Sequence, residues 1–154
     1  FTAFGTSLIN SVDGAVTMAP RLGGTPLTIA TNRHGPRFLA VTGDFVYWTD
    51  EGTSATGYTD GRVMRLARSG GAPEVLADET RPHGIVVDRD AVYWVASNDG
   101  AVRRLALEGR TKTTIATLPG RALTVLVADD RFLYILAGPD AGSGTGGQLV
   151  KVAK

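Results

Sequence analysis

Phe45-Val46-Tyr47-Trp48 returns as Ala91-Val92-Tyr93-Trp94 and, more weakly, as Phe132-Leu133-Tyr134-Ile135, at spacings of 46 and 41 residues. Ahead of each copy lies an apolar run: Phe38-Leu39-Ala40-Val41, Gly84-Ile85-Val86-Val87-Asp88 and Leu123-Thr124-Val125-Leu126-Val127-Ala128-Asp129. A short polar turn joins each run to its tyrosine-bearing partner. Behind each copy comes a glycine turn and a third strand, Gly61-Arg62-Val63, Gly100-Ala101-Val102 and Gly147-Gln148-Leu149, with a fourth example at Gly14-Ala15-Val16. Gly23-Gly24-Thr25-Pro26 and Gly70-Gly71-Ala72-Pro73 then lead to a fourth strand ending in Ile29-Ala30 or Leu76-Ala77, and the third copy keeps Ile115-Ala116 behind Glu108-Gly109-Arg110-Thr111.

Four short strands in about 40 residues, with turn signals every ~8–12, follow the alternation of a sheet rather than the 3.6-residue period of a helix. That length is the period of one propeller blade. The first two strands of each unit are apolar on both faces, as strands sandwiched between neighbouring blades must be. Arg62-Val63-Met64-Arg65-Leu66 and Val102-Arg103-Arg104-Leu105 admit charge, as outer strands reaching water do. The chain is therefore expected to be all-β, a β-propeller segment with blade pieces at about 1–32, 36–80, 82–118 and 121–154: two complete four-stranded blades and two partial ones. A ring of radial sheets must close to remove its edges. The partial blades either meet in a four-bladed ring or belong to a six- to eight-bladed propeller completed by further residues or another chain. The second is preferred, because four blades is the small extreme and the last blade lacks an outer strand. The chain opens at Phe1 without initiator methionine or leader, so a processed or cropped piece is expected.

The composition agrees. Of 154 residues 43% are hydrophobic and 20% charged, the make-up of a packed, water-facing protein. Twenty glycines and seven prolines mark a chain that turns often. A net charge of +1 supplies no field for a polyanion, so no nucleic-acid partner is expected. No apolar run approaches the ~18 residues of a membrane helix, so no membrane span is expected. The absence of cysteine excludes disulfides, thiolate metal sites and cysteine nucleophiles.

Tyr47-Trp48-Thr49-Asp50 resembles the YWTD repeat of low-density-lipoprotein-receptor propellers, and Pro82-His83-Gly84-Ile85-Val86-Val87-Asp88 resembles the strand that precedes it there. The chain is also similar to bacterial exported propellers of the TolB-like and gluconolactonase-like type. The resemblance implies that Tyr47, Trp48, Tyr93, Trp94 and Tyr134 pack between blades and that Asp50 ties neighbouring blades by hydrogen bonds. Only Asp50 matches the aspartate of that motif. It also implies export to the periplasm, cell surface or medium. It leaves function open, since such folds host binders and enzymes alike.

In a propeller the loop that leads into the innermost strand and the turn between the second and third strands share one face. That face is expected to gather His34, Arg37, Tyr58, His83 and Arg121, with Asp13, Asp60, Asn98 and Asp99 on adjoining turns. The two longest connections of the repeat, Thr49 to Asp60 and Ala137 to Gly146, fall on it too, and insertions on one face mark a working surface. His34 and His83 take nearly equivalent places but have no carboxylate at a fixed spacing, so they read as polar loop residues rather than catalytic bases. Asp88 and Asp129 read as turn caps. Asp60-Gly61 and Asp99-Gly100 read as tight turns. Gly142, Gly144 and Gly147 spell a dinucleotide fingerprint, but a strand follows where that motif requires a helix.

The leading expectation is a noncatalytic recognition module that binds a protein, peptide or glycan at the channel mouth, with no catalytic residue, metal or cofactor. Arginine and tyrosine at that mouth suit polar or anionic groups. One alternative is a channel-sited enzyme of gluconolactonase-like or streptogramin-lyase-like type. The other is a structural subunit whose partial blades pair with a second chain or copy.

Overall fold

A computed structural model describes the backbone of residues 2–4 and residues 14–140 and 146–154, with Asp140 through its backbone alone. The chain forms four antiparallel sheets in sequence order. The first holds β1 (Thr2–Phe4), β2 (Gly14–Met18) and β3 (Leu27–Arg33). The second holds β4 (Pro36–Val41), β5 (Phe45–Asp50), β6 (Arg62–Ala67) and β7 (Glu74–Asp78). The third holds β8 (Pro82–Val87), β9 (Ala91–Ala96), β10 (Ala101–Ala106) and β11 (Lys112–Thr117). The fourth holds β12 (Arg121–Ala128), β13 (Phe132–Asp140) and β14 (Gln148–Ala153). Each is a meander in which every strand pairs with its chain neighbours. Two four-stranded and two three-stranded antiparallel sheets are the all-β architecture that the period implied.

The register aligns the copies. Pro36 pairs with Asp50 and Pro82 with Ala96, while Leu39 and Ile85 face Trp48 and Trp94. Arg37 and His83, each following its proline, are thus equivalent, and His34 corresponds to Thr80. The near-equivalence of the two histidines expected from sequence gives way to an offset of three positions.

The chain divides into two compact units, Phe1–Arg81 and Pro82–Lys154. In the first, Trp48 is fully buried in a cluster with Val16, Ala30, Val46, Met64 and Leu66, so the indole fills space between the first two sheets. In the second, Tyr93 packs with Val95, Leu123, Leu126, Leu133 and Ile135, which joins the last two. Trp48 and Tyr93 hold successive positions of the repeat, and successive strand residues point to opposite faces. Trp48 and Tyr93 therefore point to opposite faces of their strands, and β9 is buried along its whole length. Burying such a side chain stabilises by roughly 1.5–3 kcal/mol, so these two positions are main anchors of their units.

The turns between the first and second strands repeat one device. Asp88 Oδ1 accepts the N–H groups of Asp90 and Ala91, and Asp129 Oδ1 those of Arg131 and Phe132. In the second sheet Thr42 Oγ1 takes the N–H of Phe45 instead. These hydrogen bonds draw the Asp88 carboxyl below its ordinary value although burial opposes the shift. Backbone N–H donors and the Tyr134 hydroxyl do the same for Asp129.

Candidate functional site

Because Pro36 pairs with Asp50, the 33–37 corner and the 51–61 connection share one end of the second sheet. The segment after β7 joins them there, as Glu79 N–H donates to Gly61 O and Arg81 N–H to Tyr58 O. Corner and connection are laced by Glu51 N–H to Gly35 O and Gly52 N–H to His34 O. The equivalent connection of the third sheet is only residues 97–100. Residues 51–61 therefore depart from the repeat, and they bring their own polar network.

Asp60 organises that network. Its Oδ1 accepts the Thr53 N–H at 2.8 Å and the Thr56 hydroxyl; its Oδ2 accepts the Thr53 hydroxyl at 3.1 Å and faces His34 Nδ1 at 2.7 Å. Burial alone would raise this carboxyl. The bonds from Thr56, Thr53 and His34 outweigh it and hold Asp60 well below the usual carboxylate range. The carboxylate wraps the Ser54–Thr56 turn of 3-10 helix, which ends on Gly57 in the left-handed region. Asp60 thus does more than the tight hairpin turn expected of Asp60-Gly61. His34, expected to lack a carboxylate partner, has one 26 residues away.

Glu51 organises a second cluster. Its carboxylate is buried, about 5% exposed, and lies between two guanidinium groups: Arg37 Nε donates to Oε2 at 2.5 Å and Arg81 Nε to Oε1 at 2.9 Å. Arg81 also stacks its guanidinium on the Tyr58 ring, 4.5 Å from the centroid. Asp50 makes the third. Its Oδ1 accepts Trp48 Nε1–H at 2.9 Å and its Oδ2 pairs with Arg33 at 2.8 Å, so β3 of the first sheet is tied to β5 of the second. Burial dominates here and raises the Asp50 carboxyl above its ordinary value, against Arg33, the indole and His34.

Backbone strain collects at the same place. Among the described residues four non-glycine residues have positive φ, and three of them are Asn32, Tyr58 and Arg81. Gly35 at φ 66° is the register equivalent of Arg81 at φ 50°, so the second copy carries an arginine where the first has the residue best suited to that corner. Gly52 at φ 96° has no room for a side chain: a Cβ would lie 2.8 Å from Asp60 Oδ1 and 2.9 Å from Gly61 N.

Of the five residues expected on the face, His34, Arg37 and Tyr58 join these networks. His83 and Arg121 belong to the second unit. His83 is buried in β8. Arg121 spends Nη1 on the carbonyls of Gly138 and Gly146, bracketing the connection after β13. Asp99 caps its turn by accepting the Ala101 N–H. Of the aromatics, Tyr47 and Trp94 are buried, and Tyr134 is half-buried with its hydroxyl donating to Asp129 Oδ2 at 2.7 Å. Asp13 and residues 141–145, with two of the three fingerprint glycines, lie outside the described residues. Glu51, Asp60 as a loop organiser, and Arg81 as a clamp on Glu51 were not singled out by sequence reasoning.

The chemistry on offer is hydrogen bonding and charge. With Asp60 ionised, His34 Nδ1–H donates to it, and Nε2 is the nitrogen left for other contacts. Among the described residues no group of three or more His, Asp or Glu side chains is placed to hold a metal ion. Nor is any helix long and apolar enough to cross a membrane.

No family model matches the chain, and no curated protein does at the level of sequence. Solved structures do. A chain of a nidogen/laminin complex is 19% identical with a TM-score of 0.59, covering 83% of this chain and 68% of its own. A catalytically inactive virginiamycin B lyase from Staphylococcus aureus, in complex with quinupristin, is 14% identical with a TM-score of 0.59, over 89% of this chain and 47% of its own. The chain thus spans about two thirds of the first and about half of the second. At these identities the likeness is one of fold, and the fold is that of a β-propeller, of which this chain forms two four-stranded and two three-stranded blades.

Proposed function

We propose that the chain is part of a recognition propeller that binds a protein, peptide or glycan, without chemistry, through the surface built by the 33–37 corner, the 51–61 connection and Arg81. One observation carries the reading. The connection that departs from the repeat is held by Asp60, Glu51 and a strained backbone, an arrangement that fixes a polar surface in one conformation. Fixed arginine and tyrosine side chains lose little freedom on binding and are the residue types that dominate interfaces. A nidogen/laminin complex among proteins of this fold is in keeping with such a role. The protein works outside the cytoplasm in this reading, in keeping with the nidogen/laminin complex among proteins of this fold.

A channel-sited enzyme is the second reading, favoured by the His34–Asp60 pair, which sets an imidazole in one tautomer. Glycan and peptide arrays probed with the labelled chain and with Arg37→Ala and Tyr58→Ala variants test the first. Spots bound by the wild type and lost in both variants support it. Spots that persist in the variants, or an array without spots, overturn it.

A further inference from the structure

We propose that Arg37 and Arg81, gripped at their Nε atoms by the buried carboxylate of Glu51, form a binding site for a single carboxylate group of the ligand. This rests on the recognition reading and names the chemistry recognised. Both guanidinium groups reach Glu51 through Nε, and neither makes another hydrogen bond from its terminal nitrogens among the described residues. Those nitrogens are the fork that matches a carboxylate edge. Arg37 is 55% and Arg81 36% exposed, whereas Glu51 is 5% exposed, so the carboxylate forms the floor and the arginines the open rim.

Pre-organisation makes this more than a surface charge. A free surface arginine must be ordered when it binds, but here Glu51 fixes one end of both groups and the Tyr58 ring flattens Arg81 from the side. Two cations on one carboxylate leave a single positive charge. Of the other carboxylates of this unit, Asp50 is balanced by Arg33, while Asp60 and Glu79 are held by neutral donors and keep their charge. Within the triad the surplus is one charge carried on two planar forks, which matches a carboxylate edge better than a phosphate monoester with its roughly −1.5 to −2. The backbone adds an independent argument. At the corner before the proline the first copy has Gly35, while the second holds Arg81 in the same left-handed region, which resists any side chain. Keeping an arginine there is explained by what its side chain does.

The test uses the full chain and the side-chain Nε–Hε resonances of arginine, titrated with N-acetylglycine and with its uncharged analogue N-acetylglycinamide at constant ionic strength. The carboxylate is expected to shift the Arg37 and Arg81 signals saturably and leave Arg33 in place, while the amide moves none. Arg81→Gly, which installs the residue of the equivalent corner, should keep the native tryptophan fluorescence and weaken binding at least about fivefold; Arg37→Gln does the same without touching the backbone. Equal shifts with the amide, undiminished affinity in both variants, or tighter binding of inorganic phosphate or methyl sulfate would each overturn the assignment. Array ligands lost in Arg37→Ala but uncharged would sink the carboxylate and spare the recognition reading. An array without spots would sink that reading while the titration still decides the anion site.

Discussion

Asp60→Asn isolates what one carboxylate contributes to the long connection. The amide keeps an oxygen for the Thr53 N–H and the Thr56 hydroxyl, but it replaces the acceptor facing His34 Nδ1 and the Thr53 hydroxyl with a donor. Hydrogen bonds to a charged group contribute about 1.5–3 kcal/mol each, against ~1 for a neutral pair. Two lost bonds, their neighbours reduced to neutral strength and partial exposure of the site together give an expected loss of about 2–3 kcal/mol. With a urea m-value of ~1–3 kcal/mol per molar the midpoint falls by roughly 1 M. Tryptophan fluorescence in a Trp94→Phe background, where Trp48 alone reports, reads the first unit directly. The sign with pH is fixed as well. The folded-state value of Asp60 lies below the unfolded 3.8, so its contribution is complete above about pH 4 and is lost as the pH drops further. The wild type should therefore lead the variant at pH 7 and converge on it in acid. Midpoints within ~0.2 M at pH 7, or a gap that does not close below pH 4, would refute the assigned role.

Asp50 should behave oppositely. Its carboxyl is raised above 3.8 by burial, so ionising it costs the folded state and stability falls as pH climbs above about 4; Asp50→Asn should flatten that slope in urea titrations at pH 4–7. Gly52→Ala meets both Asp60 and Gly61 with its new methyl and is expected to lose about 2–3 kcal/mol, read as a lowered urea midpoint. Gly84→Ala places a Cβ 2.5 Å from Leu126 N and 2.9 Å from Thr124 O, backbone atoms of β12 that cannot step aside, so in a Trp48→Phe background Trp94 fluorescence should report a second unit destabilised by about 3 kcal/mol or more.

The fold was legible because its information is periodic. A Tyr-Trp strand between an apolar strand and a glycine turn, returning every forty-odd residues, leaves few architectures open, and the apolar-to-charged gradient across each unit gave the order of strands from buried to exposed. The polar networks were less legible because they are not periodic. Asp60 reaches His34 across 26 residues and Glu51 reaches Arg81 across 30, distances set by where a loop folds back rather than by any spacing rule. One signal was available: aligned on Pro36 and Pro82, the sequence shows glycine replaced by arginine at a corner that turns left-handed. The histidines misled by their similarity of context, since only strand register shows that His83 answers to Arg37 and His34 to Thr80.

The pair Gly35 and Arg81 bears on how a repeat protein acquires new recognition. Gly35 and Arg81 show that a corner that is glycine in one copy can carry a long side chain in another, at a local penalty of ~1–3 kcal/mol. The same left-handed corner returns at Gly120, so a side chain could be introduced at one corner at a time. Gly35→Arg, with an acidic residue grafted opposite, is the smallest redesign that this geometry invites.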